Sequence, residues 1–361
     1  MASTVLVCNT GSSSVKFAVY VGTRLEQRGG LDRTALSNPG AATSSLFEAI
    51  SRWSFDAIGH RIVHGGNRFL APVRITADVF SELERLIPLA PLHQTPALRL
   101  IRDVTERLPD VPQVACFDTA FHSTMPDVEK RLPLPRDYFV RGIRRFGFHG
   151  LSYESIVSQL PPLSPRATSG KTVVCHLGNG ASLCGILNGQ SVTTTMGFTP
   201  LDGLMMGTRP GRLDPGVVLH LLKHDGLTIE QVEDLLENKS GLLGVSGLSA
   251  DMRQLIANAT PEAGDAVEMF CRSVAKEVAA AATALGGLDA VVFTGGIGEH
   301  SPVVRAKVCG QLQWLGVELD DAANLGGNTH LHTTASRVEV LRIPSDEEAV
   351  IANHTRILLG M

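Results

Sequence analysis

The chain has no long hydrophobic run. No apolar stretch approaches the roughly 18 residues that a membrane-spanning helix needs, so no membrane span is expected. Residues 278–285 are apolar, but Lys276 and Glu277 stand beside them, and the stretch reads as the buried end of a helix. The N-terminus lacks the basic start and apolar core of a secretory signal, and residues 5–8 are too few to supply one. Neither sign of charge dominates. Thirty-two Lys and Arg against 36 Asp and Glu leave a net charge of −4, with the basic residues scattered, so nucleic acid is not an expected partner. The six cysteines, Cys8, Cys116, Cys175, Cys184, Cys271 and Cys309, form no Cys-x-x-Cys pair. Most lie in apolar runs. That excludes a disulfide frame and a zinc site, and points to reduced core residues in a cytoplasmic protein.

At 361 residues the chain is long enough for two lobes, each with its own core. Hydrophobic residues at 43% and charged residues at 19% suit a soluble globular enzyme. The most informative feature is a recurrence. The stretch VLVCNTGSSSVK at 5–16 returns in altered form as VVCHLGNGAS at 173–182. At one constant offset Val174 falls on Val7, Cys175 on Cys8, Gly178 on Gly11 and Gly189 on Gly22. Both copies read as an apolar strand, a small-residue turn and a second strand. Two related lobes, each with a glycine-bearing hairpin loop, would suit a phosphate chain held in a central cleft.

Along the chain, residues 5–8 and 15–21 read as hairpin arms and 29–45 as polar loop. A short strand is expected within 57–64, helices over 81–87 and 95–108, and a buried strand over 111–117 that delivers Asp118 at its end. Gly147-Phe148-His149-Gly150 opens a helix over 152–160, and Pro161, Pro162 and Pro165 mark a linker. A strand restarts at Thr172. Residues 199–215 are too irregular for regular structure, and Asp214-Pro215 begins a helix running through His224. A long Ala-rich helix over 261–285 stops at Gly286-Gly287. Then come a strand over 288–293, a glycine loop over 294–300 and a helix over 301–315. Ser345-x-x-Glu348 reads as a capping box for a last helix ending near Leu359. Strand–loop–helix order of this kind is an α/β signature.

Two motifs are decoys. Gly170-Lys171-Thr172 resembles the end of a P-loop, but Pro165 stands where the first glycine belongs and a strand follows. His220 and His224 have zinc-protease spacing, but Leu221 replaces the glutamate. Three glycine loops can hold anions. Asn9-Thr10-Gly11-Ser12-Ser13-Ser14 offers backbone N–H groups and hydroxyls, and Lys16 can reach back over it, or it is a plain hairpin turn with a surface lysine. Gly178-Asn179-Gly180 is the second. Gly295-Gly296-Ile297-Gly298-Glu299 follows a strand and precedes a helix, where backbone can approach a nucleotide closely. Arg61 and Arg209 lie beside or within glycine-rich loops, solvated or aimed at phosphoryl and carboxylate oxygens. Asp118 reads equally as a turn former or a cleft carboxylate. His149 caps a helix or serves a site. Glu347 complements the dipole of the last helix or does more.

Taken together, Asn9-Thr10-Gly11-Ser12-Ser13-Ser14-Val15-Lys16, Gly59-His60-Arg61-Ile62-Val63-His64-Gly65-Gly66 and Phe117-Asp118-Thr119-Ala120-Phe121-His122 resemble the acetate kinase family. So do Arg145-Phe146-Gly147-Phe148-His149-Gly150, His176-Leu177-Gly178-Asn179-Gly180-Ala181-Ser182, Met196-Gly197-Phe198-Thr199-Pro200-Leu201, Met206-Gly207-Thr208-Arg209 and Phe293-Thr294-Gly295-Gly296-Ile297-Gly298-Glu299. They span the chain in the family's order. The resemblance implies an α/β fold of two duplicated ribonuclease-H-like, actin-like lobes. Residues 1–147 with 348–361 would form the N-terminal lobe, and 148–347 the nucleotide-binding lobe. It implies reversible phosphoryl transfer from ATP to acetate, giving ADP and acetyl phosphate, with Mg²⁺ (Mn²⁺ as the alternative ion), in a homodimer.

By that resemblance Asn9 and Glu347 hold the metal. Lys16, His176, Leu177, Gly178, Asn179, Gly180, Asp251, Met252, Arg253, Gly296, Ile297, Gly298, Glu299 and His300 contact ATP. Arg61 binds the acetate, with Val63 in a small apolar pocket for its methyl group. Asp118 is the catalytic carboxylate, and His149 and Arg209 stabilise the transition state. The chain is shorter than most of the family, chiefly after Tyr20. Pro210-Gly211-Arg212 puts a base where the family has an acid, and His300 replaces the usual Asn. A propionate or butyrate kinase is the near alternative, and a nucleotide-gated, actin-like binding module is one from a different class.

Overall fold

The computed structural model describes residues 2–11, 14–32 and 39–361. Ser12 and Ser13 of the expected anion loop, and 33–38 of the expected polar loop, lie outside the described residues. Contacts divide the chain into two compact units. One is Met1–Ser123 with Phe148–Ser155 and Asp346–Met361; the other is Thr124–Gly147 with Ile156–Ser345. The sequence reading placed 1–147 with 348–361 in one lobe and 148–347 in the other; contacts group 124–147 with the second unit, and 148–155 and 346–347 with the first.

The first unit is built on β1 (Thr4–Thr10), β2 (Ser14–Val21), β3 (Arg24–Asp32), β4 (Ala57–Ile62), β5 (Val73–Arg74) and β6 (Gln113–Phe117) in the order β3-β2-β1-β4-β6-β5. β1 to β3 pair antiparallel, while β1, β4 and β6 run parallel. β1 is buried on both faces, because its alternate residues serve two cores. Val5 and Val7 pack with Val350, Ile351 and Ala352 of the last helix, Glu347–Leu359. Leu6 and Cys8 pack with Leu46, Ile50, Leu100 and Val104 on the opposite face. Each fully buried Val or Leu contributes about 1.5–3 kcal/mol. The last helix presses so closely on β4 that a Cβ at Gly59 would meet Thr355 Oγ1 at 2.4 Å and Ile351 Cγ2 at 2.6 Å. That close approach sets the N-terminus of the helix, Glu347, beside the end of β1.

The second unit repeats the plan. β7 (Lys171–Leu177), β8 (Ala181–Leu187), β9 (Gln190–Thr194), β10 (Ala290–Thr294) and β11 (Glu339–Arg342) lie in the order β11-β10-β7-β8-β9. β7 to β9 are antiparallel; β7, β10 and β11 are parallel. β7 answers to β1 and β8 to β2, so the recurrence read from Cys8 and Cys175 is a repeated architecture. The helix Pro261–Leu285 packs on β7 and β8 and ends at Gly286, whose φ of +69° suits a residue without Cβ.

Several local expectations are corrected. Residues 29–45 are not one loop: β3 runs to Asp32 and a helix spans Pro39–Ala49. The proline linker is absent. The helix Gly150–Leu163 includes Pro161 and Pro162 in its last turns, and Pro165 opens the helix Pro165–Ser169 behind the cap Ser164. Proline costs little at a first helical turn, where its missing N–H had no partner to lose. Residues 295–300 form a short helix, not a loop, and the next helix, Pro302–Gly310, ends short of Leu315. Ser345 and Glu348 make no capping box; Asp346 caps the last helix by accepting from Ala349 N, and Glu348 is drawn elsewhere. All six cysteines are buried and unbridged, and burial pushes the Cys8 and Cys184 thiols up to about 12. Among the described residues no helix is long and apolar enough to cross a membrane.

Candidate functional site

In the first unit the parallel strands β1, β4 and β6 end side by side, and their carboxyl ends carry Asn9, Arg61 and Asp118. This is where open α/β sheets present binding groups. Arg61 Nη2 lies 2.6 Å from Asp118 Oδ2, and Nε lies 3.1 Å from both carboxylate oxygens. Asp118 is 1% exposed, so the charge has no substitute partner in water. Burial works against the Arg61 charge, but Asp118 and Glu347 outweigh it and hold the guanidinium above its usual range. Burial pushes the Asp118 carboxyl up, while Arg61 draws it back down.

Backbone completes the hold on Asp118. The His149 N–H donates to its carboxylate, and Gly150 N donates to its carbonyl at 2.9 Å. His149 takes φ +59°, a left-handed conformation costly for a residue with a Cβ. A Cβ on Gly150 would meet Asp118 O at 2.1 Å, so glycine is required there.

Asn9 is buried, and its Nδ2 donates to Glu347 Oε2 at 3.0 Å and to Glu348 Oε1 at 2.8 Å. Its Oδ1 accepts a long 3.4 Å approach from Arg61 Nη1. Lys16 is exposed on β2 opposite Asn9, and directly paired residues face the same side of a sheet. Val63 is buried just past β4. The first unit therefore gathers Asn9, Arg61, Asp118, His149 and Glu347.

The second unit carries a cavity of about 760 Å³ whose lining includes Gly178, Asn179, Asp251, Met252, Arg253, Gly296, Ile297 and His300. A Cβ at Gly296 would meet nothing within 4 Å, so the glycine leaves that wall open. Asp251 caps the helix Met252–Ala257, and its Oδ2 pairs with Arg253 Nη2 at 2.7 Å. Hydrogen bonds from the Arg253 side chain and backbone draw the Asp251 carboxyl below its usual range.

Other expected nucleotide residues do not line this cavity. The Leu177 side chain is fully in the core. Gly298 packs toward Cys175 and Leu177, and Glu299 Oε1 accepts from Gly295 N at 2.9 Å and Ser345 N at 3.3 Å. Glu299 thus ties down the turn after β10. His176 and Gly180 belong to the β7–β8 hairpin, outside the lining.

The sequence reading missed Ala250, Ile256, Ala257, Ser301, Pro302 and Val303 in the lining. Ile256 alone had a signal, its four-residue spacing from Met252 on one helix face. It also missed Arg305, 1% exposed, whose Nη1 donates to Gly298 O and Glu299 O at 2.9 Å and whose Nε donates to Asn324 Oδ1 at 2.7 Å. No carboxylate appears among these partners; carbonyl dipoles hold the charge and pin the segment 298–302.

Arg209 is 6% exposed, within the irregular segment after β9, and its Nη1 donates to Pro200 O at 2.8 Å. Burial lowers its pKa, with Glu237 opposing. Gly241, at φ +60°, allows the chain to cross Met206 O and Arg209 O, which a Cβ would meet at 2.2 and 2.7 Å. Arg212, the basic departure, pairs with Glu277 Oε1 at 3.0 Å. Its charge is therefore answered by that glutamate.

The donor set suits Mg²⁺. Asn9 Oδ1 and the Glu347 carboxylate are hard oxygens at one strand end, and Mg²⁺ is commonly held by one or two carboxylates plus substrate phosphates. Among the described residues no group of three or more His, Cys, Asp or Glu forms an all-protein cage.

Comparison with known proteins agrees with this geometry. The Acetokinase family profile matches residues 40–353. The acetate kinase of Rhodopseudomonas palustris is 44% identical over 389 aligned positions, covering 98% of each chain. Among solved structures, Porphyromonas gingivalis acetate kinase superposes with a TM-score of 0.87 at 36% identity, covering 99% of this chain and 100% of its own. A propionate kinase from Francisella tularensis does so with a TM-score of 0.89 at 34% identity, with the same coverage. These likenesses extend over both units, so the two α/β units are the two actin-like lobes of that fold. The chain belongs to the acetokinase family.

Proposed function

We propose that the protein is an acetate kinase, transferring the terminal phosphoryl group of ATP to acetate and giving acetyl phosphate and ADP, reversibly. The observation that carries this is Arg61. Its Nε and Nη2 are committed to Asp118, while Nη1 keeps a long approach to Asn9 Oδ1, so a carboxylate can be received on that side. Acetate is already a nucleophile and needs no general base. One of its oxygens forms a bond to the γ-phosphorus as the bond to the β–γ bridging oxygen breaks, and the electron pair leaves with ADP. The difficulty is bringing one anion up to another. Arg61, aimed by Asp118, offsets that repulsion, and Arg209 and His149 add to it. Preorganised donors of this type supply about 3–4 kcal/mol each. When bound, Mg²⁺ held by Asn9 and Glu347 would neutralise phosphate charge. Adenosine is taken by the cavity between Asn179 and Ile297, and Lys16 serves the phosphates.

Propionate is a second acceptor. One methylene discriminates by only about 1–3 kcal/mol in an apolar pocket, and Val63 supplies such a wall. The likeness to a propionate kinase supports this reading. The enzyme acts in the cytoplasm as a homodimer. Hydroxamate trapping of acetyl phosphate from ATP, Mg²⁺ and acetate tests the activity. Absence of product sinks it, as does unchanged turnover in Arg61→Ala, which would favour a nucleotide-gated binding module. A higher kcat/KM for propionate or butyrate than for acetate would overturn the named substrate.

A further inference from the structure

We infer that Arg28, on β3, is a positioning residue for the metal-holding pair Asn9 and Glu347, acting through Asp346 and Glu348. The inference rests on the proposed Mg²⁺-dependent reaction. Three acidic side chains, Asp346, Glu347 and Glu348, follow one another at the start of the last helix. Their mutual repulsion opposes the geometry that Asn9 requires. Arg28 Nη2 lies 2.8 Å from Asp346 Oδ1 and 3.5 Å from Glu348 Oε2. It answers these two carboxylates from β3 rather than from the helix itself.

The consequence falls on the Asn9 amide. An amide nitrogen has two hydrogens, and both are taken, one by Glu347 Oε2 and one by Glu348 Oε1. With Nδ2 held by two carboxylates the amide plane is fixed, and Oδ1 is its remaining ligating atom, 3.4 Å from Arg61 Nη1. That is the oxygen offered to a cation. If Glu348 turns away, the amide loses one anchor and its oxygen is free to rotate. Arg28 touches Glu348 on the oxygen opposite the one that Asn9 uses, so it fixes the carboxylate without competing for Asn9. Asp346 shares the device. Its Oδ1 takes both Arg28 and Ala349 N, so Arg28 also braces the cap that sets where Glu347 begins the helix.

Exposure separates this role from a stabilising one. The Arg28 and Asp346 side chains are 46% and 41% exposed, and pairs that wet contribute little to folding. Removal of Arg28 should therefore leave the fold and disturb the cation. The test is Mn²⁺ binding to the full chain in the presence of ADP, followed by electron paramagnetic resonance, with Arg28→Gln, Arg28→Ala and Arg28→Lys. The Gln and Ala variants should bind Mn²⁺ about threefold to tenfold more weakly, up to the loss seen when a group directly behind a metal ligand is removed, and Lys should restore part of it. Binding of a fluorescent ADP analogue without metal should not change. In a Glu348→Gln background the Arg28→Gln effect should shrink, because the carboxylate it steadies is gone.

Unchanged Mn²⁺ affinity in Arg28→Gln overturns the inference, as does an equal loss with and without Glu348. A wild-type protein that binds no Mn²⁺ with ADP, or makes no acetyl phosphate, would instead sink the functional reading beneath it. Should Arg28→Ala fail to fold, Arg28→Gln, which keeps a polar hydrogen-bonding side chain, carries the test. Failure of both to fold would show a structural role and overturn the inference too.

Discussion

Arg61 and Asp118 meet as a fork on a carboxylate, with Nη2 2.6 Å from Oδ2 and both groups nearly out of solvent. Each comes from the end of a different parallel strand. The pair aims the guanidinium and leaves Nη1 with only a long 3.4 Å approach to Asn9 Oδ1, the side on which the proposed reaction receives its substrate anion.

Truncating one partner should therefore cost both activity and stability. Arg61→Ala is expected to lower acetyl phosphate formation at least about a hundredfold. It should also destabilise the fold by roughly 3–5 kcal/mol, because Asp118 is left charged and alone. The double variant Arg61→Ala/Asp118→Ala should recover much of the stability and none of the activity. Urea unfolding beside the hydroxamate assay checks both, and recovery of turnover in the double variant would contradict the assignment.

Gly150 stands against the carbonyl of Asp118. Gly150→Ala should destabilise by about 1–3 kcal/mol through overpacking and should displace Asp118. At the neighbouring left-handed position, His149→Gly should be about 1 kcal/mol more stable than His149→Ala, since glycine alone adopts that conformation without strain. Thermal melts of the variants decide both.

His60, on the face of β4 opposite Arg61, has its pKa lowered to about 4 by burial, with the 2.7 Å hydrogen bond to Gln113 opposing. A base whose folded pKa lies below its unfolded value stabilises the native state above the unfolded pKa. That contribution is lost as pH falls from about 6.5 toward 4, and amounts to about 3 kcal/mol in all. Chemical denaturation at pH 7 and pH 5 should show the wild type losing stability, with a smaller loss in His60→Gln. Equal losses would remove His60 from the account.

A Cβ at Gly207 would come within 2.1 Å of Asn179 Oδ1, the far end of a movable side chain in the cavity proposed to take the nucleotide. Gly207→Ala should accordingly weaken ADP binding about tenfold, or about 1.4 kcal/mol, with little change in Tm. Gly296→Ala, which meets open space, should leave Tm unchanged. Calorimetric titration with ADP separates the two.

How much of this could be read from the chain differs by residue. The β1–β2 and β7–β8 hairpins were legible, because strand alternation and small-residue turns are local signals. Pro165 was misread because a proline that ends one element can open the next, and only the Ser164 hydroxyl bonded to Ala167 N tells which. Ser345-x-x-Glu348 has capping-box spacing, yet Asp346 wins the cap and Asn9 claims Glu348. Arg28 and Arg305 carried no local pattern.

By itself the sequence determined the order of motifs, the duplicated strand plan and the family, since each rests on neighbours along the chain. Only the tertiary structure decided which of those motifs share a site. Asn9, Arg28, Arg61, Asp118 and Glu348 meet through the register of β1, β3, β4 and β6 and through the helix that Gly59 admits. A hydrogen bond between residues 339 apart has no periodicity to announce it. It exists because two packed faces of one core bring those atoms to 2.8 Å.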